Sequence, residues 1–200
     1  MTQNELIELI LTGNQEAFRT IVEQYKGKVF RTCMGFVHDK EDAEELTQDV
    51  FVNLYQNLDR FKGNSSFSTW IYRIAVNSSL NHLRKKRKFG FMQRLENIFG
   101  AEIRNERNSE MNLVENPEKI LLDNERNRQL YAAIDSLPKN QHIAFTLSKY
   151  EEMSQREISN VMGITEGAVE ALLQRAKANL QKNLTGLIKK KKLTIGKSNK

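Results

Sequence analysis

Residues 42–84 read DAEELTQDVFVNLYQNLDRFKGNSSFSTWIYRIAVNSSLNHLR, and the rest of the chain is legible as support for them. Ala43, Leu46, Val50, Leu54 and Leu58 recur at three- and four-residue steps, an apolar stripe along one helix. Asp42, Glu45 and Asp49 share a neighbouring face, with Gln48 and Gln56 adding amides to a polar ridge. Acids in a first helical turn suit the helix dipole, but this run continues beyond that turn. A solvated face is the usual explanation, and pattern alone favours it; a docking surface for a basic or polar partner is the alternative.

Phe61 and then Lys62, Gly63, Asn64, Ser65 and Ser66 have loop composition, and Ser66 can cap the next helix. In that helix Phe67, Trp70, Ile71, Ile74, Ala75 and Ser78 form the buried stripe, while Arg73, Asn77, Asn81 and Arg84 fall on another face. Cations and amides beside aromatics suit single-stranded nucleic acid, where phosphates meet charge and unstacked bases meet rings or amides. The alternative is that Phe67 and Trp70, the sole tryptophan, are simply core. Five consecutive cations at 84–88 close the helix, facing phosphate or merely complementing the helix C-terminus.

Upstream, Leu6, Ile7, Leu9, Ile10 and Leu11 predict a short helix ended by Gly13, and Asn14 can cap a second one carrying Phe18, Ile21, Val22, Tyr25 and Val29 to about Phe36. Downstream, residues 89–116 lose periodicity and read as a flexible linker with at most a transient helix. Pro117 opens a further helix to Leu137, and Pro138 starts another with Ile143, Ala144 and Leu147 inward. Ser154 and Glu157 have capping-box spacing. Ile158, Val161 and Met162, a Gly163-Ile164-Thr165 turn, then Val169, Leu172, Leu173, Ala176 and Leu180 complete a helix-turn-helix pattern. Its second helix offers Thr165, Glu166, Gly167, Glu170, Ala171, Gln174, Arg175 and Lys177 outward.

The totals fit an all-α protein of 200 residues in two small helical domains, with only two prolines and ten glycines. Six lysines fall in residues 189–200; taking them from the 31 Lys and Arg leaves 25, matched by 25 acids. Attraction to polyanions must therefore be local. That tail adds nonspecific phosphate attraction or is a disordered soluble end. No apolar run approaches the ~20 residues of a membrane helix. The N-terminus does not read as a signal peptide. Cys33 is expected in the core of a protein kept in a reducing cytoplasm. His38, His82 and His142 are scattered and Cys33 stands alone, so neither a metal constellation nor a cofactor is expected. There is no phosphate-binding glycine loop, and no catalytic residues are expected.

At DAEELTQDVF (42–51), LDRFKG (58–63), FSTWIYRIAVN (67–77), Leu137-Pro138, MSQREI (153–158) and GITEGAV (163–169), the chain resembles bacterial sigma factors of the extracytoplasmic-function (ECF) group. The resemblance spans about residues 14–88 and 117–183, two modules in the right order. It implies a first domain at 1–88, a linker at 89–116, a helix-turn-helix domain at 117–185 and a basic tail at 186–200. It implies docking on core RNA polymerase through Asp42, Glu45, Gln48 and Asp49. Capture of a flipped base of the minus-ten element would fall to Lys62, Gly63, Asn64, Ser65, Ser66 and Asn77, with Trp70, Arg73 and Arg84 also on the DNA. Extruding a base costs roughly a few kcal/mol, so melting becomes sequence-dependent. The helix-turn-helix would read the minus-thirty-five element of promoter DNA. An anti-sigma factor is also implied, with no membrane insertion by the chain itself and action in the cytoplasm. The chain departs from the group at Glu170 and Leu172, where basic residues are common, and at His142, where arginine is frequent. A groove-facing glutamate accepts from cytosine but repels phosphate. The alternatives are a free-standing helix-turn-helix regulator and, less well matched, a single-strand RNA-binding protein.

Overall fold

Several helix boundaries trace to a short polar residue or a glycine. In the computed structural model, which describes the backbone of residues 3–98 and 117–195 and the side chains of 3–92 and 125–185, eight helices account for the ordered elements. Helix α1 (Gln3–Leu11) ends at Gly13, whose φ of +89° suits a residue without Cβ. Asn14 caps α2 (Gln15–Val37) by accepting from the Ala17 amide at 3.0 Å. His38 closes α2 in the left-handed conformation, and Asp39 at once caps α3 (Lys40–Gln56), accepting from the Asp42 amide at 2.9 Å. Each such cap stabilises its helix by about 1 kcal/mol. A single 3-10 turn leads to the loop, and Ser66 caps α4 (Phe67–Ile98) through the Thr69 amide.

The first module buries Ile21, Val29, Cys33, Val50, Leu54, Leu58, Phe67 and Ile71 in one core. Leu46, Val50 and Leu54 are there as the stripe predicts, and so is Cys33. Helix α4 runs to Ile98, ten residues past Lys88, where loss of periodicity had suggested a linker. The expected linker at 99–116 lies outside the described residues.

The second module comprises α5 (Pro117–Asp135), α6 (Lys139–Tyr150), α7 (Gln155–Met162) and α8 (Glu166–Ile195). The capping box forms: Ser154 Oγ accepts from the Glu157 amide, and the Glu157 carboxylate accepts from the Ser154 amide at 2.8 Å. Gly163 ends α7 at φ +68°, and Thr165 caps α8 through the Ala168 amide. Helix α8 continues through 186–195, so that part of the lysine-rich tail extends the helix rather than leaving it as a disordered end.

The two modules pack against each other. Phe36, Tyr72 and Val76 of the first share one buried cluster with Ile143, Ala144, Leu147, Ile158, Val161 and Val169 of the second. Helices α2 and α6 come together at Gly35: a Cβ there would stand 2.6 Å from Thr146 Cγ2 and 2.9 Å from the Tyr150 ring. Glycine inside a helix costs about 0.5–1 kcal/mol relative to alanine. Here it leaves room for the Thr146 and Tyr150 side chains of the second module. Gly35→Leu is therefore expected to separate them while leaving helical content unchanged. Small-angle scattering should report a larger radius of gyration than wild type; an unchanged radius would show that Gly35 does not set the approach.

Candidate nucleic-acid interface

Helix α4 carries its cation–amide face as the spacing predicts. Arg73, Asn77, Asn81 and Arg84 are all exposed side chains. Lys62, Gly63, Asn64 and Ser66 of the preceding loop are exposed too, with Ser65 half-buried and Gly63 at φ +71°. Trp70 is partly core, one of the two readings that its sequence position allows. It is half-buried against Phe61 (5.2 Å between ring centroids) and Phe67 (5.8 Å), so it braces the loop from beneath.

The second module covers part of this face. Arg73 donates from Nε to the Val161 carbonyl at 3.1 Å and from Nη2 to the Asn160 carbonyl at 2.7 Å. These carbonyls belong to the last turn of α7, where acceptors lack intrahelical partners and the dipole favours a cation. Beside this contact, Arg73 and Asn77 line a cavity of about 370 Å3 with Val161, Met162, Gly163 and Ile164. The turn of the helix-turn-helix thus rests on the very residues assigned to melted DNA.

A second polar bridge closes the other side. Glu151 is buried beneath Arg31, whose Nε and Nη2 donate to its two oxygens at 3.1 and 3.3 Å, and the Tyr72 hydroxyl donates to it at 2.8 Å. Burial pushes the Glu151 carboxyl up, opposed by the Tyr72 hydrogen bond and by Arg31. Burial also raises the Tyr72 phenol, reinforced by the Glu151 charge.

The acidic ridge of α3 flanks a groove against α4. Asp42, Glu45, Asp49 and Gln56 line it, facing Lys85 and Lys86, while exposed Gln48 lies off that line. Asp42 accepts from Lys86 Nζ at 2.7 Å and sits 3.5 Å from His82 Nε2. Burial would raise its carboxyl, but Lys86 and His82 outweigh that and hold it below the usual range. Two apolar side chains, Val52 and Phe89, are 54% and 65% exposed in this groove. Sequence reasoning missed them; Val52, apolar between Asp49 and Gln56 on a polar face, was the available signal.

On α8 and the residue before it, Thr165, Glu166, Gly167, Glu170, Gln174, Arg175 and Lys177 are exposed and Ala171 half-buried. Glu170 accepts from the Gln174 amide at 3.2 Å, so the departing glutamate is tied along its own helix. The histidines, scattered in the sequence, are partly gathered in space. His38 and His142 meet Asp135 where α2 abuts α5 and α6. Burial lowers the His142 imidazole to about 4, opposed by Asp135, and the ring is neutral near pH 7.

Residues 21–89 match the model of sigma-70 region 2, and residues 127–180 that of sigma-70 region 4. The chain is 32% identical over 187 residues to the RNA polymerase sigma-H factor of Pseudomonas aeruginosa, covering 92% of this chain and 95% of that one. The chain belongs to the ECF group of sigma-70 factors. The ECF RNA polymerase sigma-E factor of Escherichia coli is 30% identical over 191 residues, covering 95% of this sigma factor and 98% of its relative. Two solved structures share the fold. CnrH, determined in complex with the cytosolic domain of CnrY, superposes with a TM-score of 0.62 at 23% identity, covering 90% of this chain and 96% of CnrH. The sigma factor RpoE from Bartonella quintana, determined in complex with the anti-sigma factor NepR, gives 0.56 at 18% identity, covering 84% and 96%.

The Glu151 bridge spans both modules and yields a stability expectation. Glu151→Ala leaves the Tyr72 hydroxyl without its acceptor and removes the partner of Arg31. Loss of a buried acceptor costs about 1–3 kcal/mol. The urea midpoint of the full chain should fall accordingly, and an unchanged midpoint would contradict a shared core.

Proposed function

We propose that this alternative sigma factor performs promoter recognition with the residues just located, and that the closed packing of its modules is a resting form. The reading takes 1–98 as the polymerase-docking and minus-ten module, 117–185 as the minus-thirty-five module, and 186–200 as a basic extension. Glu45, Gln48 and Asp49, with Asp42 once Lys86 releases it, dock on core RNA polymerase. Val52 and Phe89 add the apolar centre that protein interfaces need. Lys62, Gly63, Asn64, Ser65, Ser66 and Asn77 capture a flipped minus-ten base over the brace of Trp70, while Arg73 and Arg84 hold phosphates. Thr165, Glu166, Gly167, Glu170, Ala171, Gln174, Arg175 and Lys177 face the minus-thirty-five duplex, with Glu170 favouring cytosine.

One observation carries the resting-form reading. Arg73 is spent on the α7 carbonyls and so cannot meet a phosphate until α7 leaves. Core polymerase, by holding the modules at separate promoter elements, supplies the free energy that opens the seam. The factor itself does no chemistry; the polymerase forms the phosphodiester bonds. No helix among the described residues is long and apolar enough to cross a membrane. Action in the cytoplasm, where the polymerase is, fits that and the lone buried Cys33. The Bartonella RpoE was solved with an anti-sigma factor, and a protein of that class is the partner expected to hold this factor inactive.

A regulator acting without polymerase needs no such ridge on α3, which favours the sigma reading over it. Run-off transcription with core polymerase over a promoter library should yield a specific product. Asn77→Ala should reduce promoter opening by tenfold or more, read by permanganate footprinting, with duplex binding within about twofold of wild type. Stable operator binding without core association, or equal losses in both assays, would contradict the assignment.

A further inference from the structure

His38, Asp135 and His142 lie 97 and 7 residues apart in the chain and converge at the junction of the modules. One donor atom from each lies within 4.8 Å of the other two. His38 is the left-handed residue between α2 and α3, Asp135 ends α5, and His142 sits in α6. The His38 Nε2 and Asp135 Oδ1 atoms are 3.3 Å apart. That equals the edge of a tetrahedron of ligands about 2.0–2.1 Å from a zinc ion, which is about 3.3–3.4 Å.

The polar atoms here are unexplained by the protein alone. His38 Nδ1 and Nε2, His142 Nε2 and Asp135 Oδ1 are all buried, and none has a hydrogen-bond partner. The short His38–Asp135 approach makes no hydrogen bond, and it is an ion pair only with a protonated imidazole. Four orphaned polar atoms in one place is a costly arrangement, since each carries a desolvation penalty. The rings are also held in place. His38 stacks on Tyr131 at 4.2 Å and 8°, and His142 packs against Phe36 at 4.9 Å. Two imidazoles and a carboxylate suit zinc among the common divalent ions, because calcium and magnesium prefer all-oxygen shells.

We propose that His38, Asp135 and His142 form a zinc site that clasps the first module to the second. Two ligands come from the second module and one from the first, so the ion binds the closed form and not the open one. A fourth position is left for water. Zinc then stabilises the closed form by mass action, and rising zinc withdraws Arg73 and Asn77 from promoter DNA. This last consequence rests on the resting-form reading above, whereas the site itself does not.

The test uses the full chain without an affinity tag, stripped by a chelator and titrated with Co2+, then with Zn2+ as competitor, in the absence of polymerase. The expected result is one equivalent of Co2+ with the visible absorption of a tetrahedral site, displaced by Zn2+. His38→Gln and Asp135→Asn should each weaken Co2+ binding at least about tenfold, as losses in a metal's ligand shells do. His82→Gln should leave it unchanged. Asp135→Asn preserves shape at a side chain that is 43% exposed, and far-UV circular dichroism checks that each variant folds. Absence of stoichiometric binding, or binding indifferent to both substitutions, would overturn the site. In run-off transcription, zinc should suppress wild type at least fivefold and spare Asp135→Asn. Equal suppression of both would overturn the clasp. A chain that binds Co2+ as described yet never directs core polymerase would instead sink the sigma-factor reading alone.

Discussion

The approach of α2 to α6 at Gly35 is the constraint on which the described arrangement depends. With no side chain there, the helices close enough for Phe36, Tyr72 and Val76 to be buried under the helix-turn-helix. Fully burying such side chains contributes about 1.5–3 kcal/mol each. Because the modules are parts of one chain, little of that is lost to association entropy. The polar bridges are subordinate. Glu151 and Arg73 find partners only because the apolar seam has brought α6 and α7 alongside.

The closed form gives a physical meaning to the placement of Arg73. A guanidinium that could hold a phosphate instead neutralises the carbonyl end of α7. In the proposed reading the same charge would serve two states, with the choice between them set by what else binds. Lys86 behaves likewise on the other side, pairing with Asp42 of the acidic ridge. The surfaces assigned to protein and to DNA are therefore each partly occupied by the chain's own residues before either partner arrives.

Much of this was legible in the sequence where the determinant is local. Asn14, Ser66, the Ser154–Glu157 pair, Gly163 and Thr165 mark helix ends because each bonds a backbone group three or four residues away. The apolar stripes named the core, since three- and four-residue steps fix which side chains share a face. What was not legible depends on pairs far apart. Arg73 and Asn160 are 87 residues apart, and Glu151 and Arg31 are 120. Nothing periodic links them. The histidines looked scattered for the same reason. Helix α4 beyond Lys88 and helix α8 beyond Gly186 were not expected, because the cation run at 84–88 and a glycine followed by a lysine run both read as helix ends. Trp70 was ambiguous because a helical face alone does not say whether a ring lies over or under a loop.

The central claim is that the helix-turn-helix rests on the minus-ten face and leaves it when the factor engages polymerase. Pulsed electron spin resonance between labels at Asn81→Cys on α4 and Gln174→Cys on α8, with buried Cys33 left in place, measures this directly. A single short distance in the free protein that becomes long on addition of core polymerase is the predicted result. A distance that is long and broad before polymerase is added, or that does not change afterwards, would contradict it.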